Sequence, residues 1–344
     1  MVALVSRAGE CVLSLTWERF VQRVILILML LFCAAGNAAA DCGDAWRDRV
    51  LAANNEERLA DTAEIATECI ESDSSGNERA GAYILRGRAL VVLDRYEEGV
   101  ADIRQAIAID EGICWGHLVL LSVRWQRRER PLETDGLRRC LAGDPLNQDA
   151  ITALALAHHA SGEFIESARA YGALYLLTGN QDDRVSEGWT LALAGELDRG
   201  EAIVREAIAS DPSSWLAYES LAQVLRRGGS YGSAMEALET AEKLLPEDDE
   251  MRTVLLADIA ETRARIFIGM NRPDRAREEA QRSLSIHESG GPHLVLAQLD
   301  MGAGAMDQAC ERVDRAVEIR VGYTLLDDLE SLSDRCHTYR SSAP

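Results

Sequence analysis

Lysine is almost missing from this sequence: Lys243 is the only one, so the other positive charges are arginines. Positive charge is itself scarce, with 36 basic against 57 acidic residues and a net charge of -21 over 344 residues. That balance excludes nucleic acid as a partner, because phosphate binding needs clustered Lys or Arg. Aromatic residues make up only 5% of the chain. With alanine abundant, this suits closely packed helices better than sheets. No C-x-x-C pair or closely spaced Cys/His set is present, so the sequence offers no zinc-type site. No glycine-rich stretch ends in Gly-Lys-Ser/Thr after a strand pattern, and no serine sits in a G-x-S-x-G context. No cofactor and no metal are therefore expected. What remains is 47% hydrophobic and 27% charged, enough to bury a globular core.

The first forty residues read as an export signal. Arg19 and Arg23 precede "VILILMLLFCAAG", an uncharged, mostly apolar run from Val24 to Gly36. Ala38 and Ala40 then supply a small-x-small exit, so cleavage is expected after Ala40. The run is short for a membrane span of about twenty residues; an uncleaved anchor is the alternative, and the only route by which a membrane enters the reading. Export to the periplasm or beyond the cell is expected.

Cysteine usage agrees with an oxidising compartment. Cys11 and Cys33 leave with the signal, and six remain: Cys42, Cys69, Cys114, Cys140, Cys310 and Cys336. Six cysteines permit fifteen connectivities. Taken in order, they form pairs 27, 26 and 26 residues apart, which fits three local staples if each pair lies across one helical hairpin. Each such loop is worth roughly 3 kcal/mol in the chain-entropy view.

Past the signal the chain repeats. Residues 80–113, "AGAYILRGRALVVLDRYEEGVADIRQAIAIDEGI", show apolar positions at helical spacing in two blocks. Residues 215–248 align with them without gaps: Tyr218 on Tyr83, Leu225 on Leu90, Tyr231 on Tyr96, Ala241 on Ala106. A 34-residue unit of two helices and a turn resembles the tetratricopeptide repeat. That pattern places small residues at positions 8, 20 and 27, an aromatic at 17, and often proline at 32. Further registers fall at 114–147, 148–181, 181–214, 257–290 and 290–323, with an eight-residue insertion before 257. Residues 41–79 read as a degenerate opening hairpin and 324–340 as a terminal capping helix. Pro145 and Pro212 land at position 32, Ala155, Gly188, Ala264 and Ala297 at position 8, and Phe164 at position 17.

The resemblance implies an all-α, right-handed solenoid of stacked antiparallel helix pairs over residues 41–344. No domain boundary is needed, and "PEDDE" at 246–250 is the candidate for a bulge or mild hinge. Neighbouring hairpins must stack, since one alone cannot cover its apolar face. In this frame Cys42–Cys69 and Cys310–Cys336 staple the ends of the array and Cys114–Cys140 one hairpin within it. The stretch "RGGSYGSAMEAL" becomes a turn: Gly228 and Gly229 end the first helix and Tyr231 packs into the hairpin. Gly232 has no evident role.

Catalytic constellations are hard to find. His158 and His159 are adjacent, so on a helix they point about 100° apart and do not form a two-ligand site. Paired carboxylates such as Glu97/Glu98 and Asp327/Asp328 read as solvated faces. The chain is read as a non-enzyme, an interaction scaffold; an enzyme or solute-binding protein using the groove as a pocket is the lesser alternative. In the tetratricopeptide pattern, first-helix positions 2, 5, 9, 12 and 13 face the concave groove. There the register places Arg88, Trp115, Ser122, Trp125, His159, Trp189, Gln223, Arg226, Arg227, Arg265 and Gln298. A protein or peptide segment is the expected partner, its apolar side chains on the tryptophans and its carboxylates on the arginines. The alternative is that the tryptophans fill gaps between helices and the arginines pair with the chain's own carboxylates. The lysine-based clamp known in some tetratricopeptide proteins has no counterpart, because the groove positions carry no lysine.

Overall fold

The computed structural model describes residues 59–72, 76–127, 129, 132–247, 249–319 and 325–342. The expected signal peptide, the first part of the opening hairpin and Cys42 lie outside them. Among the described residues there are sixteen helices and no strand. They group into two compact units that divide between Leu177 and Thr178.

In the first unit, α1 (Leu59–Glu71) precedes three hairpins: α2 (Gly76–Val92) with α3 (Tyr96–Ile109), α4 (Cys114–Gln126) with α5 (Asp135–Gly143), and α6 (Gln148–Ala160) with α7 (Phe164–Thr178). In the second, α8 (Gln181–Leu193) pairs with α9 (Leu197–Ser210), and α10 (Trp215–Arg227) with α11 (Tyr231–Lys243). Then α12 (Asp249–Gly269) pairs with α13 (Pro273–Ile286), and α14 (Gly290–Gly302) with α15 (Met306–Ile319). The last helix, α16 (Leu326–Ser342), packs on α14 and α15. Every register read from the sequence between 80 and 323 holds one helix pair. The eight-residue insertion lengthens α12 to 21 residues, where α8, α10 and α14 each have 13.

The small-residue positions do what close packing requires. In the first regular hairpin a Cβ on Gly87 would sit 2.5 Å from the Gly99 carbonyl, and one on Gly99 would sit 2.4 Å from that of Gly87. These are positions 8 and 20 of their repeat. The same pair recurs as Gly188 and Gly200, where each added Cβ would reach the other's carbonyl at 2.8 and 2.5 Å. Where the pair is not glycine, alanines fill the positions with no exposed surface, as at Ala222 with Ala234 and Ala297 with Ala309. In residues 148–181 position 20 is Ser167, whose buried hydroxyl donates to the Ala155 carbonyl at 2.8 Å. A polar group is accepted there because the carbonyl satisfies it.

The turn between the two helices is equally regular. Position 15 is left-handed in six hairpins: Asp94, Gly162, Gly195, Gly229, Asn271 and Gly304, with φ between 55° and 88°. Glycine takes this conformation without strain, and Asp and Asn tolerate it best among the rest. At Gly229 the reversal is completed by the Ser230 N–H donating to the Leu225 carbonyl at 2.9 Å.

The 114–147 hairpin is the exception. Its second helix, α5, has only nine residues, and a non-helical stretch including Glu129 and Leu132–Thr134 takes the place of the short turn. The stretch is tied down by charge: Arg124 donates to Glu129 at 2.7 Å and to Glu133 at 3.0 Å, and Tyr96 donates to Glu129. Cys114 and Cys140 are disulfide-bonded across this hairpin, their Cα atoms 5.4 Å apart. A nine-residue helix has little surface to pair with, and the covalent link holds it to α4. Cys310 and Cys336 are bonded at the same Cα separation, holding α16 to α15 over a core of Leu332, Val313 and Ala309. Cys69 is also disulfide-bonded; its expected partner, Cys42, lies outside the described residues.

Candidate functional site

The first helices of the hairpins in residues 178–344 touch in series: α8 on α10, α10 on α12, α12 on α14, and α14 on α16. Repeat positions 5, 9, 12 and 13 therefore follow one another from helix to helix, and on α10 and α12 they carry charge. From α8 comes Trp189, 6% exposed, packed on Ala192 and Val224. From α10 come Glu219, Gln223, Arg226 and Arg227, and from α12 Glu261 and Arg265.

Arg265 anchors the cluster. Its Nε donates to Glu261 at 3.0 Å and its Nη1 to Asp328 on α16 at 3.0 Å. These carboxylates raise its pKa against the opposing effect of burial. Glu261 needs room to reach it, and Gly291 of α14 provides that room: a Cβ there would lie 2.0 Å from the Glu261 Oε2. Arg227 places its guanidinium over the Trp189 ring, 5.4 Å from the centroid. Gln223 donates to Glu219 Oε1 at 2.5 Å. Burial pushes the Glu219 carboxyl up to about 7, with Glu261 adding to the effect and Gln223, Arg226 and Thr262 opposing it.

Arg226 differs from its neighbours. Among the described residues it makes no ion pair, and its buried Nε has no hydrogen-bond partner; the Arg265 Nη2 is buried and unpartnered as well. Burial first, then the Arg265 and Arg227 charges, push the Arg226 guanidinium down to about 10. It stays charged at neutral pH. Three guanidiniums thus share this face with three acidic side chains: Glu261 and Asp328, which bond Arg265, and Glu219, whose carboxyl burial raises.

Trp189, Gln223, Arg226, Arg227 and Arg265, all expected from the register, are brought onto this one face. The other expected residues lie in the first unit. Arg88 is half-buried, and Trp115 packs beside Ile84, Val119 and Ile65. Trp125 is 2% and His159 4% exposed. The structure corrects the expectation for these two: they fill the packing between helices and present no anchor at the surface. Trp189 is partly corrected in the same way, since only its contact with Arg227 reaches the charged face. His159 meets Phe164 edge-on, ring centroids 5.5 Å apart, and burial lowers its pKa to about 4. Its neighbour His158 places Nδ1 against the Glu163 carboxylate, so the two histidines have separate structural partners. Gln298 is exposed on α14, and Ser122 is 5% exposed.

Glu219, Glu261 and Asp328 were missed as site residues. The first two sit at position 5 of their repeats, so the register alone would have found them. Asp328 lies beyond the last full repeat, where it read as one of a solvated pair, and only folding brings it to Arg265. Among the described residues no group of three or more His, Cys, Asp or Glu side chains stands together as a metal site would require.

The comparisons agree with this architecture. Residues 80–112 match the family model described as tetratricopeptide repeat. A tetratricopeptide repeat protein from Parabacteroides merdae shares the fold with a TM-score of 0.57 at 14% identity, over 74% of this chain and 98% of that one. Yeast Tom70 shares it with a TM-score of 0.55 at 12% identity, over 94% of this chain and 74% of that one. No curated protein matches the sequence. The fold is a tetratricopeptide-type stack of helix pairs closed by a C-terminal helix.

Proposed function

We propose that this protein is a non-catalytic interaction scaffold, exported to the cell envelope, that holds a peptide or protein segment on the first-helix face of residues 178–344. The observation that carries the reading is the stacking of Trp189, Gln223, Arg226, Arg227 and Arg265 on helices that touch in series. Such a face offers guanidinium and amide groups along a line, which suits an extended segment. Export is supported by the arginine-flanked apolar run from Val24, the small-residue exit at Ala40 and the cystine bridges, which persist in oxidising compartments. A second reading, a membrane-tethered accessory subunit, rests on the same apolar run left uncut.

Two measurements test the proposal together. N-terminal sequencing of the protein recovered from cells should begin at Asp41 in a soluble envelope fraction; an intact N-terminus in the membrane fraction selects the tethered reading. In the same extracts, a partner captured by the wild type should be lost with Arg226→Glu. If that variant keeps every partner, the face plays no part in recognition.

A further inference from the structure

The disulfide-bonded cysteines differ in how far they are closed to solvent. Cys310 and Cys336 are 1% and 2% exposed, and each sits inside its helix, in α15 and α16. Cys69 is 2% exposed, in the last turn of α1. Cys140 is 3% exposed, within α5. Cys114, its partner, is only half-buried, alone among the described residues bonded in disulfides, and it is the first residue of α4. A disulfide reacts when a thiolate reaches one of its sulfurs, so access decides which bridge can exchange. The 114–140 bridge is approachable from the Cys114 side.

The helices on either side of the bridge differ from those elsewhere as well. Besides Cys140, α5 buries only Gly136 and Leu137. One turn from the bridge, the His117 ring packs on Gly136, where a Cβ would lie 2.0 Å from the ring Nδ1. In the 14 residues of α15, Ala309, Val313 and Ala316 are buried beside Cys310. Without a covalent link α5 would thus keep the single apolar side chain of Leu137, while α15 would keep the packing of all three. The start of α4 also suits a thiolate at Cys114: its N-cap, Ile113, offers no side-chain acceptor, and its first turn carries no acidic residue. The unsatisfied N–H groups of a helix start act as a partial positive charge. Cys69 lies at the opposite, carbonyl end of α1.

We propose that Cys114–Cys140 is a thiol–disulfide exchange site, opened by a dithiol reductant, and that its opening releases α5 and the preceding Leu132–Thr134 stretch from α4. A thiolate of the dithiol attacks the Cys114 sulfur, because Cys140 is closed to it. The bond to Cys140 breaks, a mixed disulfide forms on Cys114, and Cys140 leaves as a thiolate and takes up a proton. The dithiol's second thiolate then attacks the reductant's own sulfur in the mixed disulfide. That closes the reductant's disulfide and releases Cys114 as a thiolate at the start of α4. Two electrons pass from the dithiol to the cysteine pair, and the dithiol's protons go to Cys140 and to solvent. The reverse sequence reseals the hairpin. Leu132 and Leu137, 5% and 1% exposed when the bridge is closed, become accessible when it opens.

Dithiothreitol is the probe, added in excess to the disulfide-bonded chain at neutral pH without denaturant. Samples quenched with N-ethylmaleimide at successive times are mapped by mass spectrometry. Cys114–Cys140 should be reduced at least about tenfold faster than Cys310–Cys336. Hydrogen exchange should then rise at residues 132–143 while residues 306–342 keep their protection. In Cys140→Ser, the freed Cys114 should be alkylated by iodoacetamide with its half-maximal rate at a lower pH than glutathione. The rate comparison uses the native chain, so it decides the matter even where that variant fails to fold. Equal rates for the two bridges, earlier opening of Cys310–Cys336, or unchanged exchange at 132–143 after reduction overturns the proposal. So does a Cys114 that alkylates no more readily than glutathione.

Discussion

Residues 59–177 and residues 178–344 are written in the same repeat register, but one hairpin of the later unit, 215–248, puts charge where the earlier unit puts buried aromatic rings. In the earlier unit, position 12 holds Trp125 and His159, both buried. In the later unit it holds Arg226 in one hairpin and the apolar Ala192, Ile268 and Met301 in the other three. The earlier unit also contains the broken hairpin, with its nine-residue α5 and its internal disulfide. The later unit has four unbroken hairpins, and the disulfide described there pins only the terminal helix. A repeat register fixes which way a side chain points, but the identity of that side chain decides whether the position strengthens packing or is left available for a ligand. The two uses compete, because a large apolar group at an inner position fills the space that a partner would need.

The sharpest test of this contrast is truncation at equivalent positions. Trp125→Ala is expected to destabilise the earlier unit by about 3–5 kcal/mol, the range for removing a buried large aromatic, whereas Arg226→Gln should leave the later unit's stability unchanged. Chemical denaturation followed by hydrogen exchange resolved by region would show both; equal losses from the two variants would erase the distinction.

Next in size is the response to acid, which should differ in sign. Burial raises the carboxyls of Asp182 and Asp183 to about 6 and that of Glu219 to about 7 in the later unit. Asp211 adds to the first, Asp182 to the second, and Glu261 to the third, while Thr178 opposes the second and Gln223, Arg226 and Thr262 the third. A carboxyl raised on folding binds its proton more tightly in the native state, so this unit gains stability as pH falls through those values. His159 in the earlier unit is lowered to about 4; the unfolded chain takes up that proton first, so stability is lost as pH falls below the ordinary histidine value. Asp149, at the start of the same helix, is raised by burial and works the other way. Hydrogen exchange across an acid titration should show protection rising at residues 181–227 while it falls at residues 148–164. Glu219→Gln should flatten the first trend and His159→Phe the second. If both regions move in the same direction in the wild type, the electrostatic contrast is wrong.

The smallest expected effect concerns a regular hairpin of the later unit. A Cβ on Gly232 meets nothing within 4 Å, and the residue lies in the first turn of α11. Gly232→Ala should stabilise by about 0.5–1 kcal/mol through helix propensity alone, read as a small rise in the thermal midpoint. A loss would mean that this glycine serves a contact outside the folded chain. Gly229, three residues earlier with φ of 77°, should not tolerate the same change.

Much of the fold was legible because a 34-residue period leaves local marks that need no tertiary knowledge. Gly188 and Ala222 at position 8, Gly195 and Gly229 at the turn, and Tyr96, Phe164 and Tyr231 at position 17 each follow from the geometry of two helices meeting at close range. The pairings Cys114–Cys140 and Cys310–Cys336 could be read for the same reason, since both are local in sequence. The site was only half legible. The register placed Arg226, Arg227, Arg265, Gln223 and Trp189 on one face, but it could not tell buried tryptophans from exposed ones, as Trp125 shows. Burial depends on what the neighbouring helices bring, and that is not written in the residue's own repeat.

The sequence by itself determined the order of the helix pairs and the turns of the regular ones, because periodicity and turn chemistry are local. The tertiary structure alone decided which charges meet. Asp328 reaches Arg265 only when α16 has docked on α14 and α15, Gly291 makes room for Glu261 only when α12 and α14 touch, and both carboxylates close on Arg265 while Arg226, whose charge they also act on, makes no ion pair among the described residues. Those are facts of long-range packing, where free energy depends on distance in space and not on separation along the chain.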